Sequence, residues 1–319
     1  MPAASASALT AGQQRHLKML HAMDCWARGS WYNDVPRSRE LTKERAFRWQ
    51  HNNTLFWHVP RTAGCPSFRN YTRDDFCGTL NGRSILMVGD SLTRAFHETL
   101  ADHLAFTNSH TVQPYCLADG YDATRRCPGH GVCDGRGLLI FRRSDRLDET
   151  QTAYSTTSLL HRQEPWVPDM RKSKYDIVIL NQGPHFREDA ELVTSYRRVI
   201  KFLIRENPSA LIVVRTTPPG HHDCWSHKKP LTKPQPLAGL PYRWDEFPRQ
   251  NALVRSMLYH EFPAQTLLLD VVPPTLLRPD MHASAKDCLH YMTPGPVDTW
   301  VYLLYNALAL HERLSAPTA

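Results

Sequence analysis

From Arg83 onward, short apolar runs alternate with longer stretches of helical spacing. The segments 84–88, 137–141, 175–180, 210–214 and 266–271 are near-continuous hydrophobic runs of strand length. That is the pattern of strands covered on both faces. Between them, the stretch 92–106 puts Leu92, Ala95, Phe96, Leu100 and Leu104 on one helical stripe, and 191–206 is amphipathic. The stretches 247–262 and 296–314 read as helices with Pro248 and Pro296 near their first turns, where the missing N–H does no harm. Strands alternating with helices predict an α/β fold, a central parallel sheet with helices on both faces, over residues 83–315.

Upstream the pattern breaks down. Residues 1–20 read as a flexible leader. Residues 21–82 read as an irregular, cysteine-containing segment packed on the main domain. It carries Trp26, Trp31, Tyr32, Phe47, Trp49, Phe56, Trp57 and Phe68, and no helix-length periodicity is seen in it. Its tryptophans read first as core packing, and alternatively as a flat apolar platform beneath sugar rings. Residues 107–136 and 218–243 are expected to be long loops.

At 319 residues with 41% hydrophobic content, the chain can bury a substantial core. The net charge of +7 is mild and its Lys and Arg are scattered. This reads as a solvated basic surface, or as attraction to an anionic polymer such as an acidic polysaccharide. No nucleic-acid-binding motif accompanies the charge. The eight cysteines form no CxxC pair, which argues against structural zinc. Their even number, with sequons at Asn52 and Asn70, suits an oxidising compartment. The pattern contains no membrane span, and the opening residues do not form an apolar signal core.

Candidate chemistry lies at strand ends. The run 84–91 ends in Gly89-Asp90-Ser91, a sharp turn that presents a serine at a helix N-terminus. Backbone N–H groups and the helix dipole there favour a developing oxyanion. Asp287 and His290 lie three residues apart near the other end of the fold. Together the three supply nucleophile, base and orienting group for acyl transfer through serine. Asn181 follows the third strand and can donate to an oxyanion or serve as a turn residue. Arg94 reads as a solvated helix residue or as a clamp on a substrate carboxylate or the oxyanion. Arg215 reads the same way, with a structural salt bridge as the bland alternative. Ser91, Asn181, Arg215 and the Asp287/His290 loop should converge on one sheet edge, where α/β sheets bind ligands. His185, His221, His222 and His282 fall in loops without a recognised ligand spacing, so no metal is expected.

These residues resemble a known family. Gly89-Asp90-Ser91-Leu92-Thr93-Arg94, followed by Asp287-Cys288-Leu289-His290-Tyr291 and Pro294-Gly295-Pro296-Val297-Asp298-Thr299-Trp300, is similar to the PC-esterase group. These are the trichome-birefringence-like polysaccharide O-acetyltransferases and relatives within the SGNH/GDSL superfamily. Further likenesses are Cys25 to Trp31, Phe47-Arg48-Trp49, Asn181 to His185, Arg215-Thr216 with Pro218 and His221, and Asp280 to Ser284. The chain departs from the pattern at Met292, where the family often has a cysteine, and in a shorter segment between its last two motifs.

The resemblance implies an SGNH-like three-layer fold and a Ser91–His290–Asp287 triad. It adds Gly89, Asp90, Asn181, Arg94, His185, Arg215 and His282 as oxyanion or substrate residues. Cys224–Cys288 and Cys25–Cys65 disulfides are implied too. The expected activity is O-acetyl transfer to glycan hydroxyls, with acetylesterase action as the alternative. The expected partners are a polysaccharide and an acetyl donor as co-substrate, with no cofactor and no nucleic acid, in the lumen of the secretory pathway (Golgi) or outside the cell.

Overall fold

A computed structural model describes residues 8–37, 54–104, 130–151, 155–158, 161–183 and 188–316. Phe47, Trp49, Asn52, Cys116, Cys127 and His185 lie outside the described residues. The elements that position the site begin with β3 (Ile85–Gly89) and α3 (Ser91–Leu104), preceded by α1 (Ala11–Trp26), β1 (Ser30–Asn33), β2 (Leu55–His58) and α2 (Arg73–Leu80). Then come β4 (His130–Val132), β5 (Gly137–Arg143), β6 (Ser155–Ser158), β7 (His161–Gln163), α4 (Val167–Lys172), β8 (Ile177–Leu180) and α5 (Asp189–Glu206). The chain continues through β9 (Leu211–Arg215), α6 (Phe247–Glu261), β10 (Thr266–Leu269), α7 (Val272–Thr275), β11 (His282–Ser284), β12 (Asp287–Tyr291) and α8 (Pro296–Ser315).

The main sheet has the order β10-β9-β8-β3-β5-β4. All its pairings are parallel except the edge pair β4–β5. Every residue of β3, β8 and β10 is buried, as their unbroken apolar runs require. Alternate side chains feed two cores. Ile85 and Met87 join Phe96, Trp300 and Leu304 on the side of α3 and α8. Leu86 and Val88 join Trp166, Tyr196 and Leu258 on the side of α4, α5 and α6. This is the SGNH-like, three-layer α/β arrangement. The first two parallel strands, β3 and β5, run outward one way and β8, β9 and β10 the other, so the switch point falls between β3 and β8. Open α/β sheets form their ligand crevice there, at the carboxyl ends of the strands.

The leader departs from expectation. Residues 11–20 are the first part of α1, a docked helix. Thr10 and Gln13 form a reciprocal capping box, with the Gln13 N–H donating to Thr10 Oγ1 at 3.2 Å and the Thr10 N–H to Gln13 Oε1 at 2.9 Å. The helix buries Met19, Leu20, Met23 and Trp26. His16 Nδ1 lies 3.2 Å from the Thr266 carbonyl, and burial lowers the proton affinity of its ring, so a neutral Nδ1–H donates.

The tryptophans of the N-terminal segment pack and anchor. Trp26 donates to the Pro66 carbonyl (2.9 Å), Trp57 to the Trp26 carbonyl (3.0 Å) and Trp31 to the Pro274 carbonyl (2.9 Å). Arg278, buried and paired with Asp280, lies 4.3 Å over the Trp31 ring. Cys25 pairs with Cys65 and Cys224 with Cys288, as the resemblance implied, and a further disulfide joins Cys77 to Cys133. Among the described residues no helix is long and apolar enough to cross a membrane.

Candidate active site

Ser91 is the first residue of α3, and Asp90 alone separates it from the end of β3 at Gly89. Its backbone N–H belongs to the first turn, where no acceptor exists within the helix. The turn is tight. A Cβ on Gly89 would collide with the Thr93 side chain and the Asn181 carbonyl, so only glycine fits. Asp90 caps the helix. Its Oδ1 accepts from the Leu92 N–H at 2.9 Å and the Thr93 N–H at 3.1 Å.

The partner residues come from a strand, where a loop was expected. Asp287 and His290 sit on β12, which pairs antiparallel with β11. A short, polar, two-residue-period stretch leaves no apolar run to read, and only its partner strand defines it. Four contacts fix β12 in place. These are the Cys224–Cys288 disulfide, the His221 N–H donating to the Cys288 carbonyl at 3.0 Å, the Met292 N–H to the Met281 carbonyl at 2.8 Å, and His282 Nδ1 at 2.9 Å from the His290 carbonyl. Gly220 lets this packing happen, since a Cβ there would strike both the Trp244 ring and the Cys288 carbonyl.

The three side chains meet. His290 Nε2 lies 2.7 Å from Ser91 Oγ, and His290 Nδ1 lies 2.8 Å from Asp287 Oδ2. A carboxylate can only accept, so Nδ1 carries the proton and Nε2 is left as acceptor for the serine hydroxyl. Asp287 Oδ1 accepts from the Leu289 and His290 N–H groups at 3.1 and 3.0 Å, which aims the other oxygen at the ring. The hydrogen bond from His290 holds the Asp287 carboxyl well below the usual carboxylate range, against a smaller opposing effect of burial. Asp287 is therefore ionised at neutral pH.

Asn181 and Arg215 lie near Ser91, in a buried hydrogen-bonded lattice. Arg215 Nη2 donates to Asn181 Oδ1 at 2.6 Å and to Thr93 Oγ1 at 3.2 Å, and lies 3.8 Å from Asp90 Oδ1. Its guanidinium also stacks 4.8 Å over Trp300. Because Arg215 can only donate, the Asn181 atom facing it must be the oxygen. The Asn181 amide nitrogen then donates to the Arg215 carbonyl and to Thr217 Oγ1, both at 2.9 Å. Both of its amide hydrogens are engaged inside the protein, so Asn181 offers none to an oxyanion here. Burial lowers the proton affinity of Arg215 to about 10, which leaves it cationic at neutral pH opposite Asp90. Arg94 pairs with Glu98 one turn along α3 at 2.9 Å and is half-buried. His282 lies behind β12, on the His290 carbonyl. The one His/Cys cluster among the described residues, His21 with Cys25 and Cys65, has both sulfurs tied in a disulfide and so no thiolate to offer a metal.

A serine, an imidazole of fixed tautomer and an ionised carboxylate stand together at the switch point of an α/β sheet, an arrangement suited to handling acyl esters. Comparison with known proteins agrees. Residues 189–307 match the family model PC-Esterase, described as the GDSL/SGNH-like acyl-esterase family found in Pmr5 and Cas1p. Relatives in Arabidopsis thaliana include protein trichome birefringence-like 25, 25% identical over 168 residues, which are 41% of this chain and 36% of that protein. Protein trichome birefringence-like 40 is 23% identical over 334 residues, 90% of this chain and 82% of that protein. Protein trichome birefringence-like 20 is 28% identical over 155 residues, 41% and 31% of the two chains. The matched stretches thus span about a third of two of these relatives and most of the other. The span matched by the family model holds Asp287 and His290, while Ser91 lies upstream of it and is tied to them by geometry.

Proposed function

We propose that the protein is a serine-dependent O-acetyltransferase that moves acetyl groups onto hydroxyls of a polysaccharide or other glycan. The observation that carries this reading is the continuous hydrogen-bonded line from Ser91 Oγ through His290 to Asp287, at 2.7 and 2.8 Å. His290 Nε2 takes the hydroxyl proton as Ser91 Oγ attacks the carbonyl of an acetyl ester or thioester. The oxyanion forms beside the Ser91 N–H at the positive end of α3. Its collapse expels the alcohol or thiol, which leaves with the proton that His290 returns. Acetyl-Ser91 remains. A sugar hydroxyl gives its proton to His290 and attacks the acyl carbon; the bond to Ser91 Oγ then breaks as His290 returns that proton to Oγ, releasing the O-acetyl sugar and restoring Ser91.

Water can take the sugar's place in the second step, which makes the protein a carbohydrate acetylesterase. The family description as acyl esterases favours this second reading, while the resemblance of the Ser91, Asp287 and His290 motifs to polysaccharide O-acetyltransferases favours transfer. The disulfides fit an oxidising compartment. We place the protein in the lumen of the secretory pathway, in the Golgi, or outside the cell.

The test is incubation with an acetyl donor, with and without neutral and acidic oligosaccharides. Acetylated sugar supports transfer, free acetate alone supports hydrolysis, and turnover by the Ser91→Ala protein removes the covalent mechanism.

A further inference from the structure

His221 and His282 are buried behind the catalytic strand, 3% and 6% exposed. Neither takes part in the chemistry above. His221 Nδ1 and His282 Nε2 lie 2.7 Å apart. The outer nitrogens both face backbone carbonyls: His221 Nε2 lies 3.0 Å from that of Leu276, and His282 Nδ1 2.9 Å from that of His290. A carbonyl can only accept, so each outer contact needs a proton on the ring. The central contact needs one more. Three hydrogen bonds therefore require three ring protons, whereas two neutral imidazoles carry two.

The neutral pair has only poor choices. With a proton on each outer nitrogen, two lone pairs face each other at 2.7 Å. With a proton in the centre, one carbonyl, that of Leu276 or that of His290, faces a lone pair. One added proton satisfies all three contacts. A second would set two N–H groups against each other, so the pair has room for one.

Resting on the acyl-transfer reading above, we infer that His221 and His282 act as one unit that shares a single added proton, and that His282 is a positioning residue that holds the His290 carbonyl, and with it the catalytic strand, in register with Ser91.

The surroundings agree. Tyr291 stacks on His282 with ring centroids 4.4 Å apart and planes at 28°, a face that favours a cationic ring. Asp280 on the side of His221 and Asp287 on the side of His282 favour the added charge, while His227, His222 and His290 oppose it. Arg278 is paired with Asp280 and offsets part of that carboxylate's charge. Burial is the largest influence and lowers each ring, His221 to about 4 and His282 to about 3. Uptake therefore lies on the acid side of an ordinary imidazole, and the two rings titrate as a pair.

Two experiments decide this. Nitrogen-15 NMR of the full chain labelled at histidine reads ring protonation directly and needs no substrate. From about pH 7 to about pH 4 the His221/His282 rings should gain one proton between them, with a low-field N–H shared by both, and His221→Gln should abolish that uptake. Independent uptake of two protons, or none, overturns the shared proton. In acetyl transfer, His282→Ala should lower kcat about tenfold with KM unchanged, the size of one lost hydrogen bond to a group that matters in the transition state. His282→Asn keeps a donor near the Nδ1 position and should recover kcat to within about threefold. Wild-type kcat in the Ala variant, or an Asn variant no better than Ala, overturns the positioning role. Loss of Ser91 acylation altogether in the wild-type protein would instead refute the acyl-transfer reading and leave the NMR result standing.

Discussion

Two polar clusters flank Ser91, and they are built on opposite principles. The reactive cluster is open. The His290 and Asp287 side chains are 35% and 40% exposed, and their hydrogen bonds run only among themselves, Ser91 and the adjoining backbone. The supporting cluster is closed. Arg215 and Asp90 are fully buried, and with Asn181, Thr93 and Thr217 they tie β3, α3, β8 and β9 together. The difference separates two tasks. Reacting groups need access to donor and acceptor, so their contacts stay few. The geometry they depend on is set below them, where low dielectric makes a paired charge rigid and an unpaired one expensive. Changes to the open cluster should therefore remove activity and spare the fold, and changes to the closed cluster should do the reverse.

The largest expected effect is on the open side. Ser91→Ala should lower acetyl transfer or hydrolysis by on the order of 10⁴- to 10⁶-fold, with an unchanged circular dichroism spectrum and Tm. Asp287→Asn comes next, at about 10⁴-fold, because the amide favours the wrong tautomer of His290. A Tm drop matching either loss would collapse the distinction between the clusters. On the closed side, Arg215→Met leaves Asp90 buried without its counter-charge and should cost about 3–5 kcal/mol in denaturant unfolding. A stable Arg215→Met protein with lost activity would instead put Arg215 among the reacting groups.

The Cys224–Cys288 bridge ties β12 to the segment that follows β9. Replacing both cysteines by alanine should destabilise by about 2–4 kcal/mol and lower kcat through a looser β12. The smallest effect is with pH. His16, His221, His282 and His311 all have folded-state proton affinities lowered mainly by burial. The unfolded chain binds protons first as pH falls below the ordinary imidazole value, so stability must decline toward about pH 4. The depressed Asp287 carboxyl acts in the same sense below the usual carboxylate range, since its contribution is lost as it is protonated. Thermal melts across that window should show Tm rising with pH, and a flat or opposite trend would refute the neutral, buried assignment.

Much of this was readable in the chain, for identifiable reasons. The five parallel strands are apolar on both faces, so each is a continuous run that needs no partner to be recognised. Ser91 follows from the abrupt end of one such run. The helix α1 escaped because its buried face mixes His16 and Cys25 with Met and Leu, so its apolar periodicity is weak. Its capping pair Thr10 and Gln13 was the available signal. The sequence left the roles of Asn181 and Arg215 open, because position at a strand end says nothing about which way an amide or guanidinium turns. Burial decides that, and burial is a property of the assembled sheet. The His221/His282 contact joins residues 61 apart in sequence and has no local signature at all.

The central claim is that an acyl group passes through the hydroxyl of Ser91. Mass spectrometry of the intact protein and its peptides after rapid mixing with an activated acetyl ester tests it most directly. The account predicts a transient acetyl adduct on the Ser91 peptide, absent from Ser91→Ala and lengthened in lifetime by His290→Ala if it forms there. Turnover without any adduct at Ser91, or undiminished turnover by Ser91→Ala, would contradict it.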